Sequence, residues 1–295
     1  MKQLLVTRKS FERLIRGALA EDRAAADATS RILLPSSARL RARLIAKAPG
    51  VLAGGTYAAW TFQALDPTLR CVVRCREGSR LRPGQLILTV EGRARSILAA
   101  ERTALNLLGH LCGVATMTRA FVRYALGAQI FDTRKTLPGL RALEKYAVRV
   151  GGGHHHRSNL QEAILIKTNH LRALSGQWSV TSGQVIREAI ANAKRVKPKR
   201  FVEIEVTNLR EFKVALDAAP DAILLDNWPL RNIHRAMTLR NASRVTGHSP
   251  LMLEVSGGVT LGNVGIIARL GVDRISVGRL THSAPALDCS LQVVS

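Results

Sequence analysis

Charged side chains recur where short apolar runs give out in the second half of the chain. "QIFDTRK" ends in Arg134 and Lys135, "AILIKTNH" reaches Lys167, "FVEIEVTN" contains Glu205, and "AILLDNW" turns polar at Asp226. "LMLEVSGG" closes on Ser256, Gly257 and Gly258, and "RISVGRLTHS" carries Gly278 and His282. Cations at such positions are costly to bury unless an anion satisfies them. Guanidinium binds carboxylate through two parallel hydrogen bonds, so Arg134, Arg157 and Lys167 suit a ligand with more than one carboxylate. Glu205 and Asp226 are acids among cations. They suit hydrated Mg²⁺, which takes one or two carboxylates together with substrate phosphates, although an internal ion-pair network would account for the same pair. Glycines at the last two run ends let backbone N–H groups approach a phosphate at a helix N-terminus. No serine or cysteine stands beside an evident base, so the expected chemistry is stabilisation of developing charge by fixed groups.

The stretch "GGGHHHR", Gly151 to Arg157, admits a metal site, a purification-tag remnant or part of an anion pocket. A tag is terminal and longer, and three consecutive histidines do not readily converge on one ion. The preceding "LRALEKYAVRV" has helical spacing, which predicts Gly151 as its C-cap, with Gly152 and Gly153 giving the chain room to turn back.

The elements that must position these groups follow from periodicity. From residue 127 onward, β-rich runs alternate with helix-like segments, the pattern of βα units around a parallel sheet or barrel. Catalytic groups in such barrels sit at the carboxyl ends of the strands. Six runs are countable rather than eight, which predicts an open barrel whose uncovered side is closed by the N-terminal domain or by another subunit. The first hundred residues mix the helical "FERLIRGALAED" with the alternating "RLRARLIAKAPG" and the turn and strand of "LRPGQLILTVEGRA", a small α+β domain. Between these parts, Ile97, Ala100, Ala104, Leu107, Leu108 and Leu111 mark one face of a helix that Gly109 and Gly113 are expected to break or kink. Arg102, Asn106 and His110 form its polar stripe. The expected domains are residues 1–113, a catalytic barrel at 114–282, and a tail at 283–295 that packs back on the N-terminal domain.

Composition bounds the function. The chain has 295 residues, 44 Lys and Arg against 21 Asp and Glu, and a net charge of +23. Residues 1–113 carry +11 and the rest +12, so the charge is spread, whereas a nucleic-acid-binding tail would concentrate it. The densest run, "KRVKPKR", reads as a solvated helix end, and with 4% aromatic residues platforms for base stacking are scarce. Attraction for small polyanionic substrates fits the charge. Four cysteines without paired zinc spacing read as reduced core thiols. No apolar run is long enough to span a bilayer, so a cytoplasmic protein is expected.

Taken in order, "ERTALNLLGHLCGVAT", "DTRKTLPGLRALEKYAVRVGGGHHHR", "LIKTNH", "EIEV", "LLDN", "LEVSGGVT" and "ISVGRLTHSAPALD" resemble the motif set of the quinolinate phosphoribosyltransferases, the carboxylating nicotinate-nucleotide pyrophosphorylases. The resemblance runs from about Ile15 to the C-terminus. It implies an α/β protein with an N-terminal α+β sandwich domain and an open six-stranded α/β barrel resembling an incomplete TIM barrel. The implied reaction belongs to NAD biosynthesis: quinolinate and phosphoribosyl pyrophosphate give nicotinate mononucleotide, pyrophosphate and CO2, with Mg²⁺. It also implies a homodimer, or a larger oligomer containing it, in which one subunit completes the other's site.

Carried across by position, Arg134, His156, Arg157 and Lys167 grip the two quinolinate carboxylates, with Arg102 arriving from the partner subunit. Lys135 meets phosphoribosyl pyrophosphate, Glu205 and Asp226 hold its Mg²⁺ and ribose, and Ser256, Gly257, Gly258, Gly278 and His282 surround the 5′-phosphate. Two positions depart from the pattern: Thr168 stands where the family has aspartate, and His155 where it has asparagine. A molybdenum-transport-associated relative of the same fold and a basic nucleic-acid-binding or scaffold protein on a disabled enzyme fold are the alternatives.

Overall fold

The structure, a computed structural model, describes residues 6–176, 183–244 and 251–294. It divides into two units: Met1–Arg119 with Thr136–Gly153 and Arg279–Ser295, and Ala120–Lys135 with His154–Gly278.

In the first unit the alternating "RLRARLIA" forms the strand Arg39–Ala46. Period-two alternation turns Ala42, Leu44 and Ala46 into the core and leaves Arg39, Arg41 and Arg43 exposed. The strand pairs antiparallel with Leu86–Arg93 on one side and with the C-terminal strand Cys289–Val294 on the other. Arg70–Val73 completes a four-stranded sheet beyond Leu86–Arg93. Helix Ala94–Tyr124 follows Leu86–Arg93 directly, and its apolar stripe of Ile97, Ala100, Ala104, Leu108 and Leu111 is fully buried.

That helix is continuous through Gly109 and Gly113, so of the break or kink expected from sequence the break does not occur. Their role is close approach. A Cβ on Gly113 would lie 2.1 Å from the Pro285 carbonyl oxygen, and one on Gly109 would lie 2.7 Å from that of Leu287. The Leu287 N–H donates to the Gly109 carbonyl at 2.9 Å, which anchors the segment leading into the C-terminal strand. Gly151 shows the same economy. It is the last residue of helix Arg141–Gly151, and the left-handed cap is Gly152, one residue beyond the predicted position. Gly151 is small because Thr118 Cβ and the Ala115 carbonyl press against it.

The second unit holds a six-stranded, all-parallel sheet in the spatial order Gln129–Phe131, Arg274–Ser276, Met252–Ser256, Ala222–Asp226, Val202–Val206, Ile164–Ile166. The first two of these six in chain order, Gln129–Phe131 and Ile164–Ile166, thus form its opposite edges, and each of the six coincides with one of the β-rich runs. His154 adds an isolated parallel bridge to Phe131 at one edge. Helices Gly183–Arg195, Leu209–Ala218, Leu230–Arg244 and Val264–Arg269 alternate with the strands, giving an α/β architecture with an open parallel sheet.

Candidate active site

Because all six strands are parallel, their carboxyl ends share one edge of the sheet. Arg134, Lys135, Lys167, Glu205, Asp226, Ser256, Gly257, Gly258 and Gly278 all lie at or just beyond those ends, and His156 and Arg157 follow the His154 bridge. Arg102 and His282 belong to the other unit. Arg102 is exposed on its helix, and His282 is exposed with Nδ1 2.6 Å from Ser283 Oγ.

Thr168 acquires a definite role at this edge. Its hydroxyl donates to Glu205 Oε1 at 2.7 Å, and its backbone N–H reaches the same oxygen at 3.2 Å. Two donors from the start of helix Thr168–Ser175 therefore fix the Glu205 carboxylate in one direction. Asp226 accepts from Asn227 Nδ2 at 3.2 Å. Both acids are half-buried, on adjacent strands. Two carboxylates with hard oxygen donors at an accessible edge fit Mg²⁺, which keeps several waters and recruits substrate phosphate.

The glycine turn is built for close approach. Gly257 has φ +85°, and a Cβ there would sit 2.2 Å from Asn227 Oδ1. Gly258 follows at φ +60°. The next helix begins only at Val264, so both glycines lie in the turn ahead of it, whereas Gly278 directly precedes helix Arg279–His282. Consecutive left-handed residues can form an anion-binding concavity of this kind.

Beneath the edge lies a buried polar layer. Period two places Glu203 on the same face as Glu205, and Glu254 on the same face as Ser256. Glu203 Oε2 is 2.7 Å from His156 Nε2, and Glu254 Oε1 is 3.6 Å away. Both glutamates are almost fully buried. Burial opposes protonation of His156, but the Glu203 hydrogen bond and the charges of Glu254 and Glu203 outweigh it and raise its pKa. For Glu254, burial and the charge of Glu203 push the carboxyl up to about 8, against opposition from His156 and Arg274. The Glu203 hydrogen bond therefore favours the protonated form of His156, while burial favours the neutral form of Glu254.

The same three residues offer ligand atoms within 4.8 Å of one another, so a metal ion is an alternative occupant. The 2.7 Å separation argues against it. Two ligands about 2.0 Å from a tetrahedral ion stand about 3.3 Å apart, whereas 2.7 Å is a short charge-assisted hydrogen bond.

Asp132 organises the histidine loop from below. One of its oxygens accepts the His156 backbone N–H at 3.0 Å, and the other is 2.9 Å from His155 Nδ1. His155 thus contributes to the loop's anchoring. Arg157 is buried and donates to the Ala163 carbonyl at 3.1 Å. Burial and the neighbouring charge of Arg134 lower its pKa, while Glu203 opposes the shift. Two neighbouring guanidinium groups, beside an imidazole whose protonated form is favoured, are an arrangement suited to a carboxylate ligand.

Asp132, Glu203 and Glu254 were not among the site residues expected from sequence. Alternation in "VEIEV" could have placed Glu203 beside Glu205 on one face. Nothing local in "LMLEVS" marks Glu254 as a partner of a histidine almost a hundred residues earlier.

The fold and site define a two-unit α/β protein with charged side chains and a glycine turn gathered at the carboxyl edge of a parallel sheet. The model of the quinolinate phosphoribosyl transferase C-terminal domain matches residues 114–292, and that of the N-terminal domain matches residues 27–112. The nicotinate-nucleotide pyrophosphorylase [carboxylating] of Mycobacterium leprae (strain TN) is 41% identical over 284 residues, covering 95% of each chain. A probable enzyme of the same name from Bacillus subtilis (strain 168) is 35% identical, over 96% of this chain and 93% of that one. The solved nicotinate-nucleotide pyrophosphorylase from Francisella tularensis superposes over 100% of both chains with a TM-score of 0.87 and 35% identity. This chain belongs to the quinolinate phosphoribosyltransferase family.

Proposed function

We propose that the chain transfers the phosphoribosyl group of phosphoribosyl pyrophosphate to quinolinate with loss of CO2, giving nicotinate mononucleotide and pyrophosphate in de novo NAD biosynthesis. Family membership supports the reaction. The local observation that carries it is the concentration of Arg134, Arg157 and His156, whose pKa is raised by Glu203, on the same edge as Glu205 and Asp226.

In this reading Arg134, His156, Arg157 and Lys167 hold the two carboxylates and aim the pyridine nitrogen at C1′ of the ribose. With Nε2 engaged by Glu203, His156 presents Nδ1–H to the ligand. Lys135 meets phosphoribosyl pyrophosphate, and Ser256, Gly257, Gly258, Gly278 and His282 surround its 5′-phosphate. The bond from C1′ to the pyrophosphate oxygen breaks as the pyridine nitrogen attacks, and Glu205 and Asp226 stabilise positive charge developing at C1′. The bond from ring C2 to its carboxylate then breaks, CO2 leaves, and the electron pair stays at C2 beside the cationic nitrogen until a proton arrives. Glu205 and Asp226 would also hold Mg²⁺, which supplies charge neutralisation at the departing pyrophosphate.

The protein is inferred to act in the cytoplasm as a homodimer, with Arg102 of one subunit completing the site of the other. Four free thiols support a reducing compartment. Among the described residues no helix is long and apolar enough to cross a membrane.

The test is formation of nicotinate mononucleotide by purified protein, dependent on both quinolinate and Mg²⁺. Product is expected, and its absence above background would remove the assignment. A chelator that leaves turnover unchanged would remove the metal role alone.

A further inference from the structure

The outer face of the antiparallel sheet concentrates charge that catalysis does not use. Arg39, Arg41 and Arg43 alternate along one strand and are exposed. Arg70 and Arg74 are exposed at the neighbouring edge, across the strand Leu86–Arg93. One carboxylate, Glu91, lies among these five arginines, directly opposite both Arg41 and Arg70 in the strand register. Among the described residues none of the five forms an ion pair. A cleft of about 160 Å³ opens between Arg41, Arg70 and Arg74, with Val72, Thr89 and Glu91 completing its lining.

We propose that this sheet face binds the phosphate backbone of single-stranded nucleic acid without reading its sequence. The arginines of one strand recur about every 6.8 Å, and the two rows stand about 10 Å apart, two strand spacings. A repeating array of guanidinium forks matches a chain of phosphodiesters, each of which accepts two parallel hydrogen bonds. The four strands contain no Phe, Tyr or Trp, so bases find nothing to stack on and affinity rests on charge. Val72 is the one apolar side chain in the lining of that cleft, too little apolar surface for insertion into a lipid surface. Although the net charge is even along the sequence, the fold gathers this part of it on one surface. Arginines two residues apart on a strand share a face, and antiparallel pairing brings the second row alongside.

The test is anisotropy of a labelled mixed-sequence oligonucleotide bound to the full chain at several salt concentrations. Five phosphate contacts on a single strand give a slope of log K against log salt of roughly −3.5. Arg41→Glu/Arg70→Glu/Arg74→Glu is expected to weaken binding by about tenfold or more. Lys197→Glu/Lys199→Glu/Arg200→Glu makes the same change in net charge elsewhere and is expected to cost much less. The Arg→Gln version of the sheet triple is the milder variant should the charge reversal disturb folding, and retained phosphoribosyl transfer shows that either one is folded.

Equal losses in the sheet and control triples would overturn the proposal, since binding would then follow total charge and not this face. Release of the oligonucleotide by phosphoribosyl pyrophosphate would move binding to the substrate site and overturn it as well. Anionic phospholipid vesicles that bind more tightly than the oligonucleotide, and lose affinity in the same sheet triple, would reassign the face to membrane.

Discussion

Single residues in the candidate site owe their charge states to surroundings. Glu254 illustrates this most sharply, because its folded pKa is raised from the usual 4.5 to about 8 by burial and the charge of Glu203. The folded protein therefore keeps a proton that the unfolded chain gives up as pH passes the usual carboxylate range, and stability falls as pH rises between those values. His156, raised above its usual 6.5, contributes in the same direction: its stabilisation is present below that value and is lost as pH climbs through the folded pKa. Glu254→Gln mimics the neutral acid and should flatten the decline in stability between about pH 5 and pH 8. Urea midpoints across that range check it, and an unchanged slope would mean that Glu254 is ionised in the folded state. Of this layer, only His156 stood out in the sequence. Thr168, which stands where the family has aspartate, donates to Glu205 and so holds it in place.

At the scale of elements, periodicity was a good guide where it was strong. The six barrel strands follow their apolar runs, and "RLRARLIA" exposes and buries alternate residues as its pattern requires. Glycine was misread because its local and tertiary meanings differ. Gly113→Ala provides a test of sign: in an exposed helix the change gains about 1 kcal/mol from propensity. Here the new Cβ would meet the Pro285 carbonyl oxygen at 2.1 Å, and backbone must shift to admit it. A net loss of about 1–3 kcal/mol is expected, the usual cost of overpacking. Thermal melting checks it, and a raised midpoint would show that the Pro285–Leu287 segment does not need this close approach.

The whole molecule poses the question of how many chains build one site. Arg102 lies in a different unit from Arg134, Arg157 and Lys167. If it serves the partner subunit, inactive Arg102→Ala and inactive Lys167→Ala chains should regain activity when combined. The mixed dimer then has one site with both lesions and one with neither. No recovery despite demonstrated mixed dimers would place Arg102 in its own chain's site.

The sequence by itself determined the kind of protein this is. Apolar runs ending in charged residues, repeated with helices between them, place those residues at one edge of a parallel sheet, because a helical crossover returns each strand in the same direction as the last. Ordered motifs then pointed to quinolinate and phosphoribosyl pyrophosphate. Only the tertiary structure decided what stands beneath that edge and what gathers on the other sheet. Glu203 and Glu254 meet His156, and arginines from separate strands form one surface, through contacts between distant segments. Proton affinity and surface potential depend on distance and burial in three dimensions, which no local pattern encodes.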